Sequence, residues 1–301
     1  MRLEDLPNKG AYTSGDRACA GCMAANVAIN VMRILGKNTI VSVPPSCMSV
    51  FAGTFPELNW DVPYFHMQFA NLASTLTGIS RALKTQGKEN VVVVGFGGDG
   101  GTADMGLQAL SGAAHRNENI LYICYSNEAY MNTGIQASGS SPYGSWSSTT
   151  PTKGKLRGNE YFPKDIPRIL IAHDSPTYVA TASTAHIQDF IKKIQKAKNL
   201  RGFRYIEILC VCNPGWRVPS DIGPQLMQEA VDCGYWLLFE YEKGKLTINK
   251  KPKFTGLREF LSKQDRFMHI TEAQIEELEN YIQRRWNNIK SLEHLTTNSE
   301  N

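Results

Sequence analysis

Residues 90–96 read NVVVVGF, an apolar run with no polar alternation. A strand of this kind has to be covered on both faces, as strands of helix-covered parallel sheets are. A glycine-rich turn follows at once, Gly95-Phe96-Gly97-Gly98-Asp99-Gly100, and then a helical pattern over about 103–115. The same alternation recurs along the chain. Residues 18–35 carry Ala25, Val27, Ile29, Val31, Met32 and Leu35 at helical spacing and stop at Gly36. Further strands are predicted at 39–43, 119–125, 177–182 and 203–212, and further helices at 69–83, 186–198 and 220–234. Strands alternating with helices predict an α/β fold built on a doubly wound, mostly parallel sheet. Ligands of such sheets sit beyond the carboxyl ends of the strands. That places interest on the turn after Phe96 and on the loop over 126–163, long and rich in Ser, Thr and Gly.

Composition narrows the class. With 301 residues and 42% hydrophobic side chains, the chain can bury a large core. Lys plus Arg is 32 against Asp plus Glu 28, so no basic excess argues for nucleic acid. No apolar run approaches the ~18 residues of a membrane span. The first ten residues, MRLEDLPNKG, lack a signal pattern, which places the chain in the cytoplasm. The expected division is an N-terminal extension (1–16), a main domain (17–240) and a C-terminal extension (241–301). In the last, 243–253 reads as a solvated hairpin. Residues 272–289 read as a helix with Ile275, Leu278 and Ile282 as its apolar stripe, packing on the domain or a partner, and a frayed or partner-bound tail follows Leu292.

The glycine turn matches G-x-G-x-x-G, but a dinucleotide site also wants an acidic residue closing the next strand, and Asn127 stands there. The sharper pattern is Gly98-Asp99-Gly100 followed after 26 residues by Asn127. A carboxylate and an amide at neighbouring strand ends can both reach one hard cation, and Mg²⁺ takes oxygen ligands that it commonly shares with phosphates. The glycines let a diphosphate approach the backbone, and the following helix points its N-terminus at it. This arrangement is similar to that of thiamine diphosphate enzymes.

Seven cysteines are an odd count in a large chain of a reducing compartment, so a metal is a better reading than disulfides. Cys19-Ala20-Gly21-Cys22 is a C-x₂-C at a helix start, Cys47 follows a strand, and Cys210 and Cys212 end another. Four thiolates can hold Zn²⁺ or a [4Fe–4S] cluster, and ligands scattered along the chain suit the cluster. Cys124 and Cys233 read as packed hydrophobes. One of Cys210 and Cys212 is the fourth ligand.

These blocks together carry a resemblance. With Arg17-Ala18-Cys19-Ala20-Gly21-Cys22, His66-Met67-Gln68-Phe69, Gly97-Gly98-Asp99-Gly100, Asn127-Glu128-Ala129-Tyr130-Met131-Asn132-Thr133-Gly134, Pro142-Tyr143-Gly144 and Cys212-Asn213-Pro214-Gly215-Trp216, residues 17–234 resemble the thiamine-diphosphate-binding β subunits of the 2-oxoacid:ferredoxin oxidoreductase family, in particular its pyruvate:ferredoxin oxidoreductase branch. The resemblance implies a thiamine diphosphate-binding fold. It implies Asp99, Asn127 and the Ala129 carbonyl as Mg²⁺ ligands, Gly98, Gly100 and Gly101 along the diphosphate, and Thr133 beside the cofactor. Asn132 would reach the thiazolium and substrate. Cys19, Cys22, Cys47 and Cys212 would hold a [4Fe–4S] cluster, which selects Cys212 over Cys210. The chain departs from the family pattern at Met23 (usually Gly), at Pro45-Ser46 (commonly Thr-Gly) and at Ala137 (commonly basic).

The implied reaction is oxidative decarboxylation of pyruvate with CoA to acetyl-CoA and CO2, with electrons leaving through the cluster to ferredoxin. Other substrates of the same cofactor frame are oxalate, 2-oxoisovalerate and 2-oxoglutarate. Nothing in the chain reads as a pyrimidine-binding domain, so the resemblance implies a separate α subunit, with γ and ferredoxin-like δ subunits as further partners. Two other readings are a thiamine enzyme without redox centres and a zinc-stabilised interaction module. Among remaining residues, His66 reads as structural, Asp104 as a favourable charge at a helix N-terminus, Asn71 as a candidate cofactor contact, and Trp146 and Trp216 as packing or interface residues.

Overall fold

The structure is a computed structural model describing residues 3–7, 10–155 and 157–298. Eight strands form one sheet: β1 (Thr39–Val43), β2 (Tyr64–His66), β3 (Val92–Gly98), β4 (Leu121–Ser126), β5 (Tyr178–Ser183), β6 (Arg204–Leu209), β7 (Leu238–Glu242) and β8 (Lys245–Lys250), in the order β2-β1-β3-β4-β6-β5-β7-β8. The first six pair in parallel, while β7 runs antiparallel to β5 and β8 antiparallel to β7. The helices are α1 (Met23–Leu35), α2 (Cys47–Phe51), α3 (Leu72–Thr85), α4 (Leu107–His115), α5 (Ile166–Ile171), α6 (Ile187–Asn199), α7 (Asn213–Trp216), α8 (Gly223–Asp232), α9 (Leu257–Ser262) and α10 (Glu272–Asn298).

The pleat sorts the central strands between two cores. Leu121, Ile123 and Tyr125 of β4 face one core with α1, α6, α8 and the first half of α10; Tyr122 and Cys124 face the other with α3, α4 and Trp286 and Ile289 of α10. Val92 to Gly97 of β3 are buried, as the apolar run over 90–96 required, and so is every residue of β4, β5 and β6, Arg204 and Glu207 included.

Several boundaries differ from expectation for physical reasons. The first helix begins only at Met23, because Cys19–Cys22 forms a loop in which Gly21 has φ +74°. A Cβ at Gly21 would stand 1.9 Å from the Ser220 carbonyl oxygen, so only glycine fits there. Cys47 opens α2, where Ser46 and Ser49 form a capping box. The stretch expected as one helix from Phe69 is a 3₁₀ turn (Phe69–Asn71) running into α3. His66 ends β2 rather than entering a helix, and its Nδ1 lies 2.9 Å from the Val43 carbonyl oxygen.

The C-terminal part belongs to the same layers. The boundary placed at residue 240 falls inside β7, and the basic hairpin continues the main sheet, with Leu246 buried. The last helix does not fray at Leu292 but continues to Asn298. It packs Ile275, Leu278, Ile282, Trp286 and Ile289 inward. Near its end Thr296 Oγ1 accepts from the Leu246 N–H (3.0 Å) and Glu293 Oε1 from the Ile248 N–H (2.7 Å). Those bonds satisfy donors of the edge strand β8 that would otherwise offer themselves to another chain. Among the described residues no helix is long and apolar enough to cross a membrane.

Candidate functional site

The chemistry-bearing segments gather where a parallel sheet predicts, beyond the carboxyl ends of its strands. Cys47 follows β1, Asp99 follows β3, Asn127 follows β4, and Cys210 and Cys212 follow β6. The β3–β4 register pairs Gly98 with Tyr125, so the chain emerges from both strands side by side.

Asp99 is 1% exposed and sits at the centre of this edge. Its Oδ1 accepts the backbone N–H groups of Asn127 and Glu128, both at 3.2 Å, and its Oδ2 accepts the Ser138 hydroxyl at 2.6 Å. Burial pushes its carboxyl up to about 7, against the pull of the Ser138 and Asn127 hydrogen bonds. Glu128 adopts φ 71°, a left-handed conformation that costs a non-glycine residue energy and needs surrounding support. The turn over 127–129 is thereby folded so that the Asn127 side-chain oxygen faces two other oxygens, 3.0 Å from the Ala129 carbonyl and 2.9 Å from Asp99 Oδ1. Turned over, the amide would donate to both.

Gly98, Gly100, Gly101, Asn127, Ala129, Asn132 and Thr133 line one cavity of about 440 Å³, together with Phe69, Tyr130 and Cys47. Asn71 lies outside that lining, exposed and bonded to Gln68. Instead of a regular helix start, Gly101–Met105 forms a π turn. In it Asp104 does more than complement a helix end. Its carboxylate accepts the Tyr130 hydroxyl (2.9 Å) and the Gly139 N–H (2.8 Å), and pairs with Lys164 Nζ (2.6 Å). It therefore fastens the 126–163 loop to the glycine turn. Gly100 is fixed by the same contact, since a Cβ there would meet the Tyr130 ring at 2.4 Å. Replacing Gly100 with alanine is expected to displace that ring at a cost of about 1–3 kcal/mol. Calorimetric titration with thiamine diphosphate should read this as a fall in affinity.

A second cavity, of about 590 Å³, is lined by Cys19, Cys22, Cys47, Cys210 and Cys212. Cys210 is fully buried, whereas Cys22, Cys47 and Cys212 are partly exposed and Cys19 is exposed. Burial, with the Cys212, Cys22 and Cys19 thiols beside it, pushes the Cys47 thiol up to about 12. Burial likewise raises Cys212 to about 11, opposed by the Gly215 N–H. Cys22 is raised by burial and eased by the N–H groups of Ala25 and Ala24. Among the described residues no group of three or more His, Cys, Asp or Glu is arranged to hold one metal ion. Cys47, Asn127 and Asn132 line both cavities and form the wall between them.

Four residues that hold this edge received no role at the site from the sequence, although Glu128 and Trp216 lie in the blocks that carry the resemblance. Ser138 caps Asp99. Trp216, read as packing, also donates Nε1–H to the Asn127 carbonyl at 2.9 Å. Glu128 accepts the Tyr235 hydroxyl at 2.8 Å and pairs with Arg266 at 2.7 Å. Arg266 lies more than a hundred residues downstream of Glu128, and only the fold brings the two together.

Comparison with known proteins gives the family. Residues 46–208 match the thiamine pyrophosphate enzyme family, C-terminal TPP binding domain. The chain is 42% identical over 278 residues to pyruvate synthase subunit PorB of Methanothermobacter thermautotrophicus, covering 92% of this chain and 96% of that protein. It is 40% identical over 297 residues to ketoisovalerate oxidoreductase subunit VorB of Pyrococcus furiosus, covering 95% and 94%. A solved 2-oxoglutarate:ferredoxin oxidoreductase from Magnetococcus marinus shares the fold, with a TM-score of 0.57 and 22% identity over 76% of this chain and 82% of that one. The chain therefore belongs to the thiamine pyrophosphate enzymes and, within them, to the 2-oxoacid:ferredoxin oxidoreductase subunit family that includes PorB and VorB.

Proposed function

We propose that this chain is the thiamine diphosphate-binding, catalytic subunit of a pyruvate:ferredoxin oxidoreductase, acting with CoA to give acetyl-CoA and CO2. The observation that carries the reading is the shared wall of Cys47, Asn127 and Asn132 between the glycine-turn cavity and the thiol-lined cavity. A cofactor that generates electrons and a centre that takes them would lie against each other there.

The residues fit the groups proposed for them. Around Mg²⁺, with bonds of about 2.0–2.1 Å in an octahedron, neighbouring oxygens stand about 2.9 Å apart. The end of the Asn127 side chain stands 2.9 Å from Asp99 Oδ1 and 3.0 Å from the Ala129 carbonyl oxygen: its NH2 donates to both when turned inward, and its oxygen would share a cation with them when turned the other way. A buried carboxyl pushed up to about 7 is also one that a neighbouring cation would hold ionised. Asp99, Asn127 and the Ala129 carbonyl would hold Mg²⁺, and Gly98, Gly100 and Gly101 leave room for a diphosphate. Cys19, Cys22, Cys47 and Cys212, which border one cavity, would hold a [4Fe–4S] cluster, whose usual ligand set is four thiolates.

Thiamine diphosphate, when bound, supplies the nucleophilic carbon and the electron sink for decarboxylating a 2-oxoacid. The chain's part is orientation. Asn132 and Thr133 stand at the open side of the cavity, where the substrate would enter, and Phe69 and Tyr130 form its apolar wall. The pyrimidine half of the site would come from an α subunit. The γ and ferredoxin-like δ subunits, ferredoxin and CoA complete the proposed partners, and the free thiols suit the cytoplasm.

A second reading is favoured by the VorB relatives, which are named for ketoisovalerate. A substrate panel on the anaerobic complex separates the two. Viologen reduction with pyruvate, 2-oxoisovalerate, 2-oxoglutarate and oxalate should be fastest with pyruvate. Preference for the branched acid would move the assignment to the VorB type. The purified chain alone should turn over none of them, and measurable oxidation by it would contradict the divided site.

A further inference from the structure

The Asn127 and Glu128 backbone of the turn over 127–129 is bonded at both N–H and both C=O groups, and the supports of the turn reach far downstream. Asp99 accepts the Asn127 and Glu128 N–H groups, and the Ser141 hydroxyl donates to the Glu128 carbonyl at 2.7 Å. The Asn127 carbonyl accepts from Trp216, Glu128 Oε1 accepts the Tyr235 hydroxyl, and Glu128 Oε2 faces the Arg266 guanidinium 2.7 Å away as an ion pair that lacks hydrogen-bond alignment. Arg266 and Glu128 are only 3% and 6% exposed at their side chains. The Arg266 guanidinium also lies over the Trp216 ring, 3.7 Å from its centroid. One cation thus grips the side chain of the turn and stacks on the indole that grips its backbone. A buried ion pair is a poor device for stability alone, because desolvation offsets most of the attraction. It is a good device for holding a strained left-handed residue in one place.

We infer that Arg266 is a positioning residue for the cofactor site: through Glu128 and Trp216 it holds the left-handed turn that brings the Asn127 side-chain oxygen and the Ala129 carbonyl to the Asp99 carboxylate. The inference rests on the reading that those three oxygens hold the metal of a diphosphate cofactor. It also assigns the segment after residue 240 a part in that site.

The test uses the assembled complex, stripped of cofactor under anaerobic conditions, in wild type, Arg266→Met, Glu128→Gln with Arg266→Met, and Trp216→Phe. Binding of Mg²⁺–thiamine diphosphate is followed by calorimetric titration, and the metal's surroundings by EPR with Mn²⁺ in place of Mg²⁺. Arg266→Met should weaken binding by about tenfold or more, in line with the ~10–100-fold cost of removing a partner that orients a metal ligand. Its Mn²⁺ signal should broaden into a mixture of environments. The double variant, which leaves no buried charge unpaired, should regain thermal stability without regaining affinity. Trp216→Phe keeps a ring for Arg266 and removes only the bond to the Asn127 carbonyl. It should show a smaller loss of the same kind, and it decides the matter if Arg266→Met does not fold. Wild-type binding with unchanged affinity and Mn²⁺ signal in the variants overturns the inference, even if their melting temperature falls. Failure of the wild type to bind overturns the proposed cofactor site instead.

Discussion

Asp99→Asn should abolish measurable binding of Mg²⁺–thiamine diphosphate to the complex while leaving its iron content unchanged. The asparagine keeps an oxygen acceptor for the Asn127 and Glu128 N–H groups, so the turn keeps its backbone supports. What it removes is the charge, and Asp99 is the one carboxylate among the three groups proposed to hold the metal. The loss should exceed the ~10–100-fold expected for an outer partner of a metal ligand, since a ligand itself is changed. The apo form should not lose stability, because burial already pushes this carboxyl up to about 7 and the neutral side chain avoids the desolvation cost. Titration calorimetry and thermal melts measure both effects. Asp99→Ala should lose the cofactor as well, and with it some stability, because two buried N–H groups are left without an acceptor. Retained binding in Asp99→Asn would contradict the metal assignment.

Cys212→Ser should yield a complex without the cluster bound by this chain, whereas Cys210→Ser should keep it. Both thiols border the same cavity, so proximity does not separate them. Accessibility and backbone do. Cys210 is fully buried and its N–H is tied to the Ser126 carbonyl at 2.8 Å, as a continuation of the sheet. Cys212 stands at the end of the extended segment, partly exposed, as the N-cap of α7, with the Gly215 N–H directed to its sulfur. N–H groups aimed at sulfur are a common support for iron–sulfur ligands. Iron and sulfide analysis with visible absorption decides the question. Loss of the cluster in Cys210→Ser and its retention in Cys212→Ser would exchange the two assignments. Stoichiometric zinc with no visible band would instead favour the zinc module.

The amino-acid sequence by itself determined the layered fold, because its signals are local. The apolar run of Val92 to Phe96, the glycine turn after it and the helical stripes of α1 and α6 each state their structure within a dozen residues. The motif around Asp99 and Asn127 was legible for the same reason, since neighbouring parallel strands place their ends side by side. What stayed hidden depended on contacts between distant segments. The late start of α1 at Met23 follows from the approach of the Ser220 carbonyl to Gly21, almost two hundred residues away in the chain. The basic hairpin joins the sheet only because β5 offers it an edge, and the last helix persists because Thr296 and Glu293 find β8. Asp104 looked like a helix-end charge until the loop returned to it with Tyr130, Gly139 and Lys164. Glu128 and Arg266 follow the same rule. Residue type fixes what a group can bond to, but a buried carboxylate and a buried guanidinium become partners only when the tertiary structure removes water from both.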